Sequence, residues 1–339
     1  MRPIRSALFA AVALAACGAG AGRAFAWGAT GHRLIGQLGT ESLPLDLPAF
    51  LHTREASDAI GELAREPDRS KGAGQPHDSD LDSGHFFDID DAGKSLGGSP
   101  VTAMPRDRDD YEVTLHAAGV TLTKGGYLYY NLLDGYEQLV KDFAYYRVET
   151  IALTQWTDPA QKAWLATDLK LREQIIIRDL GWWSHFVGDA SQPLHVSIHY
   201  NGWGDYPNPH GYTMDKVHGP FEGPYVQANL TKEGVRAAMA APTVCPGAIQ
   251  ACVAAYLQAT AATVEPFYQL WGHDGFKPKD PKDVAFTTGR VAAGAAALRD
   301  LVTKAWAASE DGGVGYPLLT VKAVEGGASV PFAALYGDD

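Results

Sequence analysis

The stretch His185-Phe-Val-Gly-Asp189-Ala-Ser-Gln-Pro-Leu-His195 places two imidazoles and a carboxylate within eleven residues. On a helix, His185 and Asp189 stand four residues apart and project from one face. Pro193 turns the chain before His195, so His195 need not face the same partner as the first pair. Such side chains bind divalent cations, and the run suggests more than one ion. His218 and Glu222 repeat the four-residue pairing in His218-Gly-Pro-Phe-Glu222. His32 follows Trp27 by five residues in Trp-Gly-Ala-Thr-Gly-His, and His85 opens His85-Phe-Phe-Asp88. Two histidines and one acid per ion match catalytic zinc sites that keep a position open for water. These five histidines, with three to four carboxylates, are enough for two or three ions. His52, His77, His116, His199, His210 and His273 are expected to be structural or solvent-exposed, with His199 and His210 closest to the cluster in sequence.

Helices must position these groups, because helical periodicity dominates and no strong strand alternation or internal repeat is present. The patterns predict helices over Ala29 to Leu38, Tyr127 to Thr150, Ala160 to Gly188, Pro220 to Asn229, Ile249 to Leu270 and Asp283 to Ser309. In the third, Leu165, Leu169, Ile176 and Leu180 form the apolar stripe. Lys162, Asp168, Lys170, Arg172 and Glu173 are expected on its solvated face. The last is rich in Ala and reads as a packing helix. Residues rich in Gly, Asp, Ser and Pro over 66–82, 91–110 and 199–215 read as loops, and loops are where sites are commonly assembled. Beyond Ser309, residues 311–339 read as a tail that either packs back or frays.

The first 26 residues have the form of a secretory leader. Arg2 and Arg5 give the basic start, Ala7 to Ala16 the apolar centre, and Ala24-Phe-Ala26 the small-x-small cleavage site. An alternative is that Leu14-Ala-Ala-Cys17-Gly18, which resembles a lipobox, leaves a lipid-modified Cys17. The apolar run is too short to span a bilayer, and no other stretch reaches membrane length. Cleavage after Ala26 leaves 25 basic and 40 acidic side chains, a net charge of −15. That balance argues against a broad basic nucleic-acid-binding surface, but not against an enzyme whose positive charge comes from bound metal. Only Cys245 and Cys252 then remain. Export makes a disulfide between them plausible, and any metal must be held by His and carboxylate.

Taken in order, these motifs resemble the S1/P1 nucleases, whose superfamily includes bacterial zinc-dependent phospholipase C. The resemblance runs from Trp27 to about Ser309. It rests on Trp27, Gly31-His32, Asp68, His85-Phe-Phe-Asp88, the His185 to His195 stretch, and His218-Gly-Pro-Phe-Glu222. It implies a mainly α, single-domain phospholipase C/P1 nuclease-like fold over 27–310, with long loops around a trinuclear metal cleft, and three Zn2+ ions. By this resemblance Asp68, His85, His185 and Asp189 hold one ion of a close pair. Trp27, through its α-amino nitrogen and carbonyl oxygen, holds the neighbour with His32 and the bridging Asp189. His195, His218 and Glu222 hold the third. A free amine at Trp27 requires cleavage after Ala26, which favours a secreted or periplasmic protein over lipidation at Cys17. Glu222 stands where the nucleases usually carry Asp, as in the phospholipase C branch. For the ligand assigned to Asp68, Asp58 and Asp78 are alternatives; the spacing to Lys71 favours Asp68.

The implied activity is hydrolysis of single-stranded DNA and RNA, with 3′-nucleotidase activity, by attack of metal-activated hydroxide on phosphorus. Lys71 would help stabilise charge on phosphate. Asp88 would orient the nucleophile, pair with Lys71 or contact the base, and Phe86 would stack on a nucleobase. Tyr200, Trp203 and Tyr206 either line the cleft in the same way or only stiffen their loop. A monomer with transient nucleotide or nucleic-acid partners is expected. The alternatives are a phospholipase C acting on lipid phosphodiesters and a non-catalytic exported metal-binding protein.

Overall fold

A computed structural model describes residues 27–337, and its architecture is mainly helical. The expected leader, residues 1–26 with Cys17, lies outside the described residues. The first half contains α1 (Gly28–Glu41), α2 (Arg54–Leu63), α3 (Glu66–Arg69), α4 (His77–Asp82), α5 (Arg108–Ala117), α6 (Leu122–Gly125), α7 (Leu128–Gln155) and α8 (Pro159–Asp189). The second half contains α9 (His218–Pro220), α10 (Val226–Asn229), α11 (Lys232–Ala238), α12 (Ile249–Ala261), α13 (Val264–Trp271) and α14 (Pro281–Ala308). Strands β1 (Gly313–Val314) and β2 (Leu319–Thr320) form an antiparallel hairpin before α15 (Val321–Glu325) and α16 (Phe332–Tyr336).

Local chemistry sets the ends of the long helices. Asp158 caps α8 by accepting from the Ala160 and Gln161 amides, with Pro159 at the first helical position. Asp280 and Pro281 do the same for α14. The body is formed by α7 against α8, α1 against α14 and α2, and α2 against α8. Ile35, Leu38, Leu128, Leu139, Phe143, Leu180 and Val302 are among its buried contacts. Gly135 permits the close approach of α7 to α8, because a Cβ there would lie 2.0 Å from the Trp183 ring. Among the described residues no helix is long and apolar enough to cross a membrane.

Several expectations need correction. Residues 66–82 contain α3 and α4 rather than only loop, and α2 and α5 were not anticipated. The side chains of Thr53 and Asp107 cap those two helices, a start signal that the broken apolar pattern concealed. The single helix expected over Ile249 to Leu270 divides after Ala261, and the turn lets Phe267 pack on Phe221, Trp271 and Phe276. Arg172 is not on a solvated face. It lies between α7 and α8, 3.0 Å from Asp142 and 3.5 Å from Glu149. The C-terminal segment packs back. Val314, Val321, Val324 and Val330 join Val148, Ala152, Trp156 and Leu165 in a second core, and the Trp156 indole donates to Val330 O. As expected, Cys245 and Cys252 are joined in a disulfide.

Candidate metal centre

Four segments meet at the end of α8. His32 comes from α1, Asp68 from α3, His185 and Asp189 from the last turns of α8, and His85 from the 3-10 turn Ser83–His85. His195 ends a second 3-10 turn, Pro193–His195, while His218 opens α9 and Glu222 lies in the wider turn Phe221–Tyr225. Pro224 sits inside that turn. It cannot donate a helical hydrogen bond, and the π-type widening accommodates its ring. Donor atoms gather into three groups: His32, His185 and Asp189; Asp68, His85 and His185; and His195, His218 and Glu222. Within each group the atoms lie within 4.8 Å of one another.

His185 belongs to both of the first two groups, and Asp189 of the first reaches toward the second through one carboxylate oxygen. Oδ2 lies 3.2 Å from His85 Nδ1 and 3.3 Å from His185 Nε2, whereas Oδ1 lies 3.5 Å from His32 Nε2. In the third group Glu222 Oε1 lies 2.6 Å from His218 Nε2 and 3.0 Å from His195 Nε2. Asp68 Oδ1 stands 4.0 Å from His185 Nε2 and 2.7 Å from Lys71 Nζ. The alternatives to Asp68 are engaged elsewhere. Asp58 accepts from Gln37 and pairs with Arg54 on α2, and Asp78 accepts from the Gly72 and Gly74 amides.

The donor set fits divalent cations on two independent grounds. First, the Nδ1 atoms of His185, His195 and His218 face the carbonyls of Ala64 (2.8 Å), His85 (2.6 Å) and Tyr200 (2.9 Å). A carbonyl only accepts, so the proton sits on Nδ1 and each Nε2 directs its lone pair into its group. Second, both ring nitrogens of His32, Asp189 Oδ1 and Glu222 Oε2 are buried without a hydrogen-bond partner. Such groups each cost about 1–3 kcal/mol when left unsatisfied. Burial and the neighbouring His185 push His32 down to about 3, which favours the neutral, ligating imidazole. Burial pushes His85 down to about 4. Burial also opposes charge on His195, but Asp189 and Glu222 outweigh it and raise His195 to about 9. Glu222, 3.0 Å from His195 Nε2, favours a cation there in place of the proton.

Neighbouring contacts lock the ligand loops. Phe87 N donates to His195 O at 2.9 Å while His195 Nδ1 donates to His85 O, so two reciprocal bonds tie the segments together. Gln192 lies between the ligands Asp189 and His195. It gives its side-chain amide to Glu222 Oε1 and accepts from Leu194 N. Arg290 of α14 donates to Ser191 O at 2.9 Å. Neither Gln192 nor Arg290 was singled out from the sequence. Gln192 stands inside the ligand motif, which is a usable signal, whereas nothing in sequence ties Arg290 to residue 191. Trp27 is buried, with its indole donating to Gly188 O and Ser191 Oγ, both at 2.9 Å, and its carbonyl accepting from Gly31 N.

A cleft of about 1080 Å³ opens over the centre and is lined by Lys71, His85, Phe86, Asp88, His195 and His218. Phe86 is held by Gly126, whose φ of +72° and contact with Phe86 O leave no room for a side chain. Asp88 is buried with Oδ1 unpartnered, and burial raises it to about 8 against the opposing charges of His195 and Lys124. Tyr200 and Tyr206 are exposed along the cleft. Trp203 is buried, stacks on His199 at 3.7 Å, and stiffens the loop. His199 binds Trp203 O and Asp91, while His52, His77, His116, His210 and His273 are exposed. No family model and no curated protein matches the chain.

Proposed function

We propose that the chain is an exported, zinc-dependent phosphodiesterase of the S1/P1 nuclease type, with the phospholipase C/P1 nuclease-like helical fold and a trinuclear centre. The split carboxylate of Asp189, shared between His32 on one side and His85 with His185 on the other, carries this reading. Asp68, His85, His185 and Asp189 would hold one Zn2+, Trp27, His32 and Asp189 its neighbour, and His195, His218 and Glu222 the third. Bound ions of this kind supply Lewis acidity and make water nucleophilic near neutral pH.

The remaining chemistry belongs to the cleft. Lys71, beside Asp68, places a cation where phosphate oxygens would bind. Asp88, buried at the cleft with Oδ1 unpartnered, offers hydrogen-bonding capacity to a base edge. Phe86 supplies a stacking face suited to unpaired bases. The chain's acidity is consistent with brief engagement of nucleotides or single strands rather than a stable nucleic-acid complex. Glu222 favours a second reading, a phospholipase C acting on lipid phosphodiesters.

One preparation of protein beginning at Trp27 tests these readings together. It is expected to contain about three zinc ions, to release nucleotides from single-stranded DNA and RNA, and to stop when chelated. Equal or faster turnover of a phosphatidylcholine analogue would establish the second reading instead. Full metal with no turnover of either substrate would leave a metal-binding protein without this activity.

A further inference from the structure

A second cavity, of about 150 Å³, borders the same centre and has no role in the chemistry described above. Its walls include His85, Arg108, Tyr127, Asn131, Trp182 and Phe186. His85 lines both the cavity and the cleft, and the two spaces meet along three pairs of consecutive residues. Ser70, Leu81 and His85 line the cavity, while Lys71, Asp82 and Phe86 line the cleft. The segment carrying His85 therefore forms the partition. Trp182 and Phe186 lie three residues before and one after the ligand His185, so α8 presents aromatic rings to the cavity beside the donors it gives to the ions.

A phosphodiester held at the centre has a substituent on each side of phosphorus. Phe86 and the larger cleft account for one. The lining of the small cavity suits the other. Three aromatic side chains give it apolar walls, the Arg108 guanidinium lies 5.0 Å over the Tyr127 ring, and Asn131 is anchored to Gly84 O at 3.1 Å. Rings of this kind stack on any base, and an arginine at the edge attracts the next phosphate. The volume is suited to one base or sugar rather than a longer stretch of strand.

We propose that this cavity receives the base of the nucleoside on the opposite side of the scissile phosphate from Phe86, so that the enzyme grips its substrate on both sides of the bond. The proposal rests on the phosphodiesterase reading above. It makes a dinucleoside monophosphate, which has both substituents, a better substrate than a nucleoside 3′-monophosphate, which has one.

The test compares kcat/KM for those two compounds in the zinc-loaded wild-type protein, Trp182→Ala, Trp182→Phe and Arg108→Ala. Trp182→Ala is expected to lower the dinucleotide-to-mononucleotide ratio about tenfold, through KM rather than kcat, and Trp182→Phe to restore part of it. Arg108 is exposed, so Arg108→Ala gives the same comparison if Trp182→Ala does not fold. A smaller fall in the ratio, again in KM, is expected there. Unchanged ratios in both alanine variants, with the wild type cleaving both compounds, would overturn the cavity assignment alone. A wild type that cleaves neither compound would overturn the phosphodiesterase reading and this proposal with it.

Discussion

The imidazoles of His32 and His185 stack face to face, with ring centroids 3.9 Å apart and planes 15° from parallel. One ring comes from α1 and the other from α8, and each turns Nε2 toward a different oxygen of Asp189. Two buried imidazoliums in this arrangement would repel each other. Without cations, the His32 nitrogens and Asp189 Oδ1 stay buried and unpaired.

Chelation should therefore weaken the fold as well as stop turnover. A site exposed to its ion at a thousand times the dissociation constant gains about 4 kcal/mol. For a chain of this size, loss of one such ion corresponds to a fall in unfolding temperature on the order of 10 °C. Calorimetry with EDTA and then with excess Zn2+ should show the fall and its reversal. An unfolding temperature indifferent to chelator would remove the case for ions at this centre.

Asp189→Asn keeps the shape of the side chain but removes the charge shared by two donor groups. Metal analysis should show two ions lost per chain and the His195, His218 and Glu222 ion retained. Phosphodiesterase activity should fall at least about a hundredfold. Unaltered metal content in this variant would rule out a bridging role.

Gln192→Leu removes the donor to Glu222 Oε1 and the acceptor of Leu194 N. The third ion should then bind about 10–100-fold more weakly in competition with a chelator, while the pair is retained. Equal loss from all three positions would indicate a general folding defect instead.

The proposed role of Trp27 predicts an unusual sensitivity to any residue that precedes it. One extra residue before Trp27 should remove the α-amino ligand, one bound ion and most activity. Full metal and activity in the extended protein would sink the N-terminal ligand assignment.

How much of this was legible depended on whether the relevant partners were neighbours in sequence. His185 with Asp189 and His218 with Glu222 are four-residue pairs on helical segments, so their shared direction could be read directly. The resemblance assigns His85 and His195 to different ions, and the direct tie between them was not legible, because they are 110 positions apart and it is a side-chain bond to a backbone carbonyl. The aromatic cavity was not legible, since Arg108, Tyr127 and Trp182 come from three different helices or their flanks. Arg172 was misplaced for a related reason. Its helical position is charged, but its partners Asp142 and Glu149 lie on α7.

That buried triad gives the fold its own pH dependence. Burial pushes Glu149 from 4.5 to about 7, with Arg172 opposing the rise and Asp168 adding to it. Burial also raises Asp142, to about 6. The folded chain thus binds these protons more tightly than the unfolded chain. The stabilisation is complete below about pH 4.5 and is lost as pH rises toward 7. Glu149→Gln should flatten that decline, removing on the order of 3 kcal/mol of the difference between pH 4.5 and pH 8. Urea unfolding of both proteins across this range would measure it, and parallel curves would contradict the assignment.

The two cores described for this chain also define a working end and an anchoring end. Leu165, in the core that receives the C-terminal hairpin, and Asp189, in the candidate metal centre, lie on the same helix and are separated by roughly 36 Å of it. Tyr316 and Leu318 project from the hairpin loop into solvent. A dye, tether or solid support attached there would be held by a rigid rod at a distance from the cleft. Immobilised protein should therefore still present the cleft and its donor groups to the solution.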